Sequence, residues 1–423
     1  MANQQLHRRF SDEQFITILE NYLAGELKAG EAMDALDLKK SQFFNLVSQY
    51  KSNSNGFTIK HKGNNGNRRI SNDKEQNILK ELVQDKQLID NQDMPIHNYN
   101  YSAIKDNLER KYGFKVSLPT IINRAKDNGY YLEKKIKKIH DREVVTNNVG
   151  ELIQHDSSFH QWSPYMDNKL YLITSLDDHS RLLLFADLFE FESSWNHILA
   201  LKSVFLQYGC PLKYYPDQHS IFKYVKDRDK NRPFNVYTKF TGDVITQWSY
   251  VLKECNVNLT CALSPQAKGK IERPYRWLQD RIVRTAARDN LKTLTDLRLV
   301  LKDLVYQYNN KWIHSTTKEI PIERFEKSIQ DKKSLFRKFK INNPKQTVDD
   351  IFCLKEQRMV DAYRKISLMG VEMKVPKGIP RQTVLLNMTP VEKDEIVKIR
   401  FWQKNTFLGE QTRRLDNLPI VRF

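Results

Sequence analysis

The chain has 423 residues, with 69 lysine and arginine residues against 51 acidic ones and a formal net charge of +18. At about 100–200 residues per domain this length predicts about three domains, and a hydrophobic content of 40% excludes a disordered chain. The sequence has no run of about 18 apolar residues for a membrane span. Its four cysteines include no CxxC pair, which favours a reducing, intracellular compartment. The positive charge predicts a polyanionic partner, most commonly nucleic acid.

The N-terminal part carries the pattern of three short helices. Ser11 and Gln14 have the spacing of a capping box, and apolar residues at helical spacing follow. Two further helices are predicted near 28–36 and 39–51. Because these proportions are typical of a helix-turn-helix, we predict a DNA-binding domain over 1–55. The glycine-, asparagine- and arginine-rich stretch 56–72 is predicted to be a basic linker.

A second unit of three helices is predicted over 73–135. Ser117 is a candidate N-cap, Pro119 lies in the first turn that follows, and Asn128-Gly129 is typical of a helix end. Two helices joined by so short a turn again fit a helix-turn-helix. A helical bundle with a merely solvated polar face stays open as the alternative. Two such units in tandem, joined by a basic linker, favour DNA binding.

The pattern changes to α/β from Gly150 onward. Three predicted strands are followed by alternating helices and strands, which indicates an α/β domain over 146–330. Helices are predicted at about 193–208, 244–255 and 271–288. Residues 151–200 contain eight acidic and only two basic residues, in contrast to the rest of the chain. This acidic segment is either a solvated face or the place of a divalent metal.

Three carboxylates stand out by position: Asp156 in the first strand, Asp217 directly after the fourth, and Glu272 in the first turn of the long helix. Strand ends on neighbouring strands and a helix packed over them bring distant side chains to one edge of a sheet. Carboxylate oxygens are the ligands that Mg²⁺ prefers, and two such ions promote in-line displacement at phosphorus. Any three of 51 acidic residues can be declared a triad, so position alone is weak support.

Basic and polar residues surround these positions and the predicted helical units. Lysines and arginines next to Glu272 can approach a phosphate, and the second helix of each helix-turn-helix presents polar side chains that can reach bases or phosphates. The side chains that we predict to contact DNA are Gln42, Asn45, Arg68, Arg69, Thr120, Asn123, Arg124, Lys126, Lys268, Lys270, Arg273 and Arg276.

Other candidate ligands fit less well. The histidines near the proposed site match no zinc signature and are expected to satisfy local hydrogen bonds; they are His155, His160, His179 and His219. Asp177 and Asp178 are interpreted as turn residues. Asp187 is the one alternative ligand, because it lies on a strand. Three tryptophans are expected in the core instead of stacking on bases: Trp162, Trp277 and Trp312.

The C-terminal part is predicted to be all-β. A basic linker is predicted at 330–345, and short alternating strands with glycine and proline between them follow to the end of the sequence. This pattern is typical of a small β-barrel over 346–423. The fold class predicted for the whole chain is therefore multidomain α+β: two N-terminal helix-turn-helix units, a central α/β core and a C-terminal barrel.

Four motifs make the sequence similar to a known family. They are GELIQHDSSFHQW, LYLITSLDDHSRLLLFADLF, YYPDQHSIFKY and LSPQAKGKIERPYRWLQDRI. With these motifs the chain resembles the DDE transposases and integrases of the RNase H-like superfamily, most of all the bacterial insertion-sequence transposases called ISNCY. The resemblance implies an RNase H-like catalytic core whose metal and catalytic triad is Asp156, Asp217 and Glu272.

Two features depart from the family pattern. Asp217 and Glu272 are 55 residues apart, more than is usual in the superfamily, and the charged stretch 226–243 is interpreted as a surface insertion. Pro274 lies two residues after Glu272. Since proline is not tolerated in a helix interior, we expect the regular helix to start close to Glu272 or its first turn to be loosened.

The resemblance implies a DNA transposase that binds the terminal inverted repeats of its own insertion sequence. It would hydrolyse a phosphodiester there and join the freed 3′-hydroxyl to target DNA, with two Mg²⁺ ions for which Mn²⁺ can substitute. Double-stranded DNA, a homo-multimer on that DNA and a bacterial cytoplasmic, nucleoid-associated location are implied as well. Two alternatives stay open: a catalytically idle, domesticated transposase acting as a DNA-binding regulator, and a metal-dependent nuclease without strand transfer.

Overall fold

The protein is mixed α/β in the computed structural model. The structure describes residues 9–59, 70–92, 94–132, 145–217, 219–222, 236–238, 244–261, 269–341, 343–368, 370–391 and 394–415. The chain forms two compact units, Met1–Leu79 and Lys80–Phe423. None of the helices within the described ranges has the length and apolar composition needed to span a membrane.

The first unit contains three helices, α1 (Asp12–Leu23), α2 (Ala29–Leu36) and α3 (Lys40–Ser52). The predicted capping box is present: Ser11 Oγ accepts from the Gln14 N–H, and Gln14 Oε1 accepts from the Ser11 N–H. Side chains at helical spacing on the three helices form one apolar cluster, whose buried members are Phe15, Leu19, Ala32, Leu36, Phe43, Val47 and Tyr50. Three packed helices are therefore observed, while the helix-turn-helix function of this unit stays a prediction.

Three more helices follow: α4 (Asn72–Asp90), α5 (Tyr101–Tyr112) and α6 (Leu118–Asp127). Helix α5 ends at Gly113, which adopts the left-handed conformation that lacks a steric penalty only for glycine. Helix α6 begins after Ser117, whose hydroxyl accepts from the Thr120 N–H, with Pro119 in the first turn. These caps are the ones that the sequence predicted.

A five-stranded sheet forms the centre of the second unit. Its strands are β1 (Ile153–His160), β2 (Leu170–Asp177), β3 (Leu183–Phe189), β4 (Lys213–Tyr215) and β7 (Asn258–Leu259). Their order is β3-β2-β1-β4-β7. The first three strands pair antiparallel, whereas β4 pairs parallel with β1 and with β7. The carboxyl ends of β1 and β4 therefore point toward the same edge of the sheet.

Helices cover both faces of this sheet. One face packs against α7 (Ser194–Gln207) and α8 (Gln247–Glu254), and the other against α9 (Gly269–Asp289) and α10 (Leu294–Asn310). A further helix, α11 (Pro321–Gln330), follows. The first three strands, α7 and α9 lie close to their predicted positions, and α10 and α11 fill the rest of the predicted core domain.

The predicted helix over 244–255 is wrong in its first turn. Residues Val244–Thr246 form strand β6, which pairs antiparallel with β5 (Val236–Thr238) inside the proposed insertion. Helix α8 begins only at Gln247, where the Thr246 hydroxyl accepts from the Ser249 N–H. The β-branched residues of β6 favour extended backbone, and this local preference was overlooked.

The predicted linker at 330–345 lies against the core. Ser334 forms a β-bridge with Val149, and Arg337 forms one with Cys210. A side chain at Gly209 would meet the Arg337 carbonyl oxygen at 2.5 Å, so the two segments approach too closely for any other residue. The basic side chains of 330–345 therefore belong to a segment that is hydrogen-bonded to the core and not to a free linker.

The C-terminal strands form an open sheet in the part of the chain described. Helix α12 (Val348–Ile351) precedes β8 (Leu354–Met359), β9 (Lys365–Leu368), β10 (Val371–Lys374), β11 (Thr383–Val391), β12 (Ile396–Gln403) and β13 (Thr406–Arg414). Four of them form an antiparallel sheet in the order β13-β12-β11-β8, while β9 and β10 pair separately. Among the described residues no pairing closes this sheet, so the predicted barrel is not confirmed. Its apolar residues join the α7–α8 side of the core in one cluster.

Candidate active site

Asp156 and Asp217 occupy equivalent positions on neighbouring parallel strands. The last residue pair of the parallel β1–β4 ladder is Gln154 with Tyr215. Each aspartate lies two residues beyond its strand's member of that pair, and both side chains are partly buried. The parallel register therefore places Asp156 and Asp217 at the same level beyond the last residue pair of the β1–β4 ladder, and their joint role as ligands stays a prediction.

Helix α9 packs on the face of the sheet that carries Asp156. Asp156 lies opposite Thr174 in the β1–β2 ladder, and the Thr174 hydroxyl donates to Tyr275 Oη at 2.9 Å. Burial raises the pKa of Tyr275 well above its usual value, and the charge of Asp156 raises this pKa further. Tyr275 is therefore close to Asp156 and ties α9 to this part of β1.

Glu272 lies one helical turn before Tyr275. The helix starts at Gly269, three residues before Glu272, and Pro274 lies inside it. Pro274 has no N–H to donate to the carbonyl of residue 270, so this turn lacks one helical hydrogen bond. The Glu272 side chain is 50% exposed and lies 3.9 Å from the Arg276 guanidinium. The carboxylate thus stays accessible to a charged ligand.

A fourth carboxylate near this edge was missed in the sequence. Glu192 follows β3; its Oε1 accepts from the Ser157 hydroxyl and lies 3.1 Å from His197 Nε2. Burial raises the pKa of Glu192, but the hydrogen bond from His197 and its charge outweigh burial and lower the pKa to about 2. Glu192 therefore stays ionised. The feature of the sequence that could have identified Glu192 is its position in the acidic segment, three residues after the end of β3.

Two of the four histidines near the site form the predicted local hydrogen bonds through their rings, whereas among the described residues the buried His160 Nε2 and His219 Nδ1 have no hydrogen-bond partner. His155 is buried, with Nδ1 2.9 Å from Ser175 Oγ and Nε2 2.8 Å from His197 Nδ1. His179 Nδ1 lies 3.0 Å from the Thr146 carbonyl oxygen. The backbone N–H of His219 donates to Asp217 Oδ1 at 2.9 Å, which orients that carboxylate. Burial lowers the pKa of His160.

Three further aspartates of the acidic segment have structural partners. Asp177 accepts from the backbone N–H groups of Gly150 and Ser180, both at 2.8 Å, and it is fully buried at the predicted turn. Asp178 is also buried and pairs with Arg181 at 3.1 Å. Asp187, the alternative ligand, pairs with Arg298 of α10 at 2.9 Å. These ion pairs leave Asp187 a weaker candidate than Asp156.

The chemistry of the donors fits a divalent cation, although no enclosed site is formed. The three predicted ligands and the nearby Glu192 are carboxylates, the hard oxygen donors that suit Mg²⁺. Within the described ranges no three acidic, histidine or cysteine side chains converge closely enough to hold a metal ion. The fit to a divalent cation therefore rests on the chemistry of these donors.

Most of the predicted DNA contacts that the structure describes are exposed. Gln42 and Asn45 lie on the open face of α3, and Asn123 and Lys126 on that of α6. Thr120 is partly buried, and its hydroxyl lies 2.7 Å from that of Ser117.

Three arginines among these candidates have partners within the protein. The Arg124 guanidinium is 3.8 Å from Asp127, a surface pair worth little. Arg273 donates to the Thr316 hydroxyl at 2.7 Å, and Arg276 lies beside Glu272. Arg68, Arg69, Lys268 and the Lys270 side chain lie outside the described residues.

Helix α9 also connects the core to helices α4 and α5 through three arginines, Arg281, Arg284 and Arg288, which we call the α9 arginine cluster. Arg284 is 2% exposed in its side chain and pairs with the fully buried Asp85, and Arg288 lies 3.0 Å from Glu81. Arg281 pairs with Asp106 at 2.7 Å and stacks on Trp277 at 4.4 Å from the ring centre.

The three tryptophans occupy the positions expected of core residues. Trp162 is buried, and Trp277 packs against Trp312 with ring centres 5.3 Å apart.

The comparisons with known proteins identify transposases as relatives. No protein-family model matches the sequence. The chain is 25% identical over 379 residues to "Putative transposase y4bF" of Sinorhizobium fredii, which covers 87% of this chain and 74% of that protein. It is 29% identical over 198 residues to the transposase for insertion sequence IS1202 of Streptococcus pneumoniae, covering 46% of this chain and 39% of that protein.

Among solved structures, the catalytic core domain of BIV integrase aligns with 43% of this chain and 98% of its own, at 18% identity and a TM-score of 0.31. The sequence relatives confirm the predicted resemblance to transposases. The chain is similar to bacterial transposases, one of which is the transposase of an insertion sequence.

Proposed function

We propose that the chain is a DNA transposase that binds the terminal repeats of its own insertion sequence, cleaves the DNA there and transfers the freed strand to target DNA. The relation to transposases over 87% of the chain supports this function. The equal offset of Asp156 and Asp217 from the parallel β1–β4 ladder is the observation that carries it, because it aligns two carboxylates at the sheet edge under the helix of Glu272.

In this proposal Asp156, Asp217 and Glu272 hold the metal, with two Mg²⁺ ions replaceable by Mn²⁺. Bound divalent ions supply charge neutralisation and Lewis acidity at the scissile phosphate. The protein's own contribution is positional. The His219 N–H orients Asp217, and the bond from Thr174 to Tyr275 fixes the first turns of α9 on the sheet. Arg276, next to Glu272, is placed to contact a DNA phosphate.

The charge distribution along the chain predicts which steps of DNA binding and cleavage require divalent ions. The acidic segment 151–200 repels a phosphate backbone, whereas the basic remainder of the chain attracts it. DNA binding by the full chain should therefore not require divalent ions. Close approach of the scissile phosphate to the acidic edge should require them.

We expect end-DNA binding to survive EDTA and to weaken steeply with salt, while release of the 3′-hydroxyl needs Mg²⁺ or Mn²⁺. Ca²⁺ should allow docking with little turnover. The measurement is a paired assay of end-DNA binding and 3′-hydroxyl release in chelator, Mg²⁺, Mn²⁺ and Ca²⁺. Cleavage that persists in EDTA contradicts the metal-dependent mechanism. If the protein binds DNA but does not cleave it under any condition, it is a catalytically idle regulator. If it cleaves DNA without joining strands, it is a nuclease.

We also predict that Arg124 reads a base. Arg124→Ala should weaken binding to the terminal repeat by about 1–3 kcal/mol and relax sequence preference. In the protein the Arg124 guanidinium lies 3.8 Å from Asp127 on the surface. The measurement compares repeat and scrambled DNA, using the full chain with Asp217→Asn to prevent cleavage.

Arg110→Ala is the matched control, an exposed arginine on α5. It should weaken binding to both DNAs equally. An equal loss for Arg124→Ala would show that Arg124 contacts phosphate and not a base.

A further inference from the structure

Two cysteines far apart in the sequence meet next to the segment that follows α11. Cys210 lies after α7, and its backbone exchanges two hydrogen bonds with that of Arg337, at 2.7 and 2.9 Å. Cys255 caps the C-terminus of α8. The Arg337 guanidinium donates to the carbonyl oxygens of Cys255, at 3.3 Å, and Asn256, at 2.6 Å. Arg337 thus holds both cysteine backbones.

The two cysteines line the same cavity, and their thiols affect each other's pKa in opposite directions. The hydrogen bond from Cys255 lowers the pKa of Cys210; burial opposes this effect, and the charge of Arg337 assists it. The same hydrogen bond and burial raise the pKa of Cys255. Cys210 is therefore the sulfur with more thiolate character, and thiolate is the form that reacts with oxidants.

The pair opens onto a cavity of about 190 Å³. Its walls include both cysteines, Arg337, Lys338 and Lys340. The cavity gives a small oxidant a route to sulfur atoms that are otherwise largely covered. Cys353 differs in each respect: it is fully buried, its thiol donates to the Asp350 carbonyl oxygen, and burial raises its pKa to about 12.

We propose that Cys210 and Cys255 are a redox modification site, a dithiol that hydrogen peroxide converts to an intramolecular disulfide. The Cys210 thiolate attacks one peroxide oxygen, the O–O bond breaks, and hydroxide leaves, so that Cys210 becomes a sulfenic acid. Cys255 then attacks the Cys210 sulfur and expels the hydroxyl group, which leaves as water after taking up the Cys255 proton. In total, two thiols and one peroxide give one disulfide and two waters.

The disulfide would join two segments that lead into neighbouring strands of the sheet. Cys210 lies three residues before β4, which leads to Asp217, and Cys255 lies three residues before β7, which pairs with β4. The bond would restrain the register of these two strands. Because the proposal rests on the cysteine pair alone, it does not depend on the transposase function.

The test uses the full-length chain, reduced, freed of reductant and treated with hydrogen peroxide. Non-reducing peptide mapping should find one disulfide, between the peptides of Cys210 and Cys255, and thiol titration should fall from four to two. Cys353→Ser is the matched control and should still form this bond. Survival of all four thiols, or scrambled pairing that involves Cys261 or Cys353, would overturn the proposal.

Single variants test the order of the two steps. With Cys255→Ser, dimedone should trap a sulfenic acid on Cys210, because the resolving thiol is missing. With Cys210→Ser, Cys255 should give little or no trapped product. Equal trapping in both variants, or trapping only at Cys255, contradicts the assignment of Cys210 as the attacking thiol. The mapping of the unmodified chain stays decisive if a variant folds poorly.

Discussion

Replacing Asp217 by asparagine should abolish cleavage of end DNA in Mg²⁺ and leave DNA binding within about twofold. The amide keeps the size of the side chain and can still accept the hydrogen bond from His219, but it lacks the negative charge that a divalent ion requires. We expect a loss of at least about 10³-fold in the single-turnover rate, because the ligand acts at the reacting phosphate. Asp156→Asn and Glu272→Gln should behave alike.

Asp187→Asn is the control for this experiment. Asp187 lies on the neighbouring part of the sheet but pairs with Arg298, so its variant should keep cleavage within a few-fold. Any triad variant that still cleaves at the normal rate removes its residue from the ligand set. If Asp156→Asn remains active, Asp187 and Glu192 are to be tested next, Glu192 because it stays ionised and contacts Ser157 next to Asp156.

Replacing Arg284 by methionine should loosen helices α4 and α5 from the core. The Arg284 side chain is 2% exposed and Asp85 is fully buried, and removing one member of a buried pair costs about 3–5 kcal/mol. We expect the lower end of this range, because Asp85 keeps a longer ion pair with Arg288 at 3.8 Å. We expect amide exchange in α5 to accelerate by roughly 10²–10³-fold. Hydrogen exchange measured by mass spectrometry resolves this helix from the rest of the chain.

Two further variants separate this effect from a general loss of stability. Arg276→Met, on the same helix but 66% exposed in its side chain, should leave exchange in α5 unchanged. Adding Asp85→Asn to Arg284→Met should recover part of the protection, because the buried carboxylate that has lost its closest partner is removed. If Arg284→Met alone leaves α5 protected, the buried pair does not hold these helices.

Local sequence signals predicted most of the secondary structure. The hydrogen bonds of the capping residues Ser11 and Ser117 join residues three apart in the sequence, so both patterns can be recognised without knowledge of the fold. The same holds for strands β2 and β3, where two apolar runs flank a polar turn. The positions of Asp156 within β1 and of Asp217 after β4 also followed from local pattern, while their common level depends on the parallel register.

Long-range contacts were beyond the sequence. Arg284 and Asp85 are 199 residues apart, and each looks like an ordinary charged residue of an amphipathic helix. In the sequence, Glu192 is one of eight acidic residues of the segment 151–200, and only the structure reveals its contacts with Ser157 and His197. The open C-terminal sheet escaped prediction for a similar reason, since strand pattern does not reveal whether the last strand returns to the first.

Helix α9 fixes the distance between the α9 arginine cluster and Glu272. Glu272 and Arg284 are 12 residues apart on one helix, which corresponds to roughly 18 Å along its axis. Arg284 is buried against α4, and Glu272 stays accessible at the other end. If α6 binds the terminal repeat, the segment of α9 between Arg284 and Glu272 separates the attachment of the DNA-binding helices from the candidate active site. The number of base pairs between the recognised sequence and the cut would be set by this geometry and not by the DNA sequence between them.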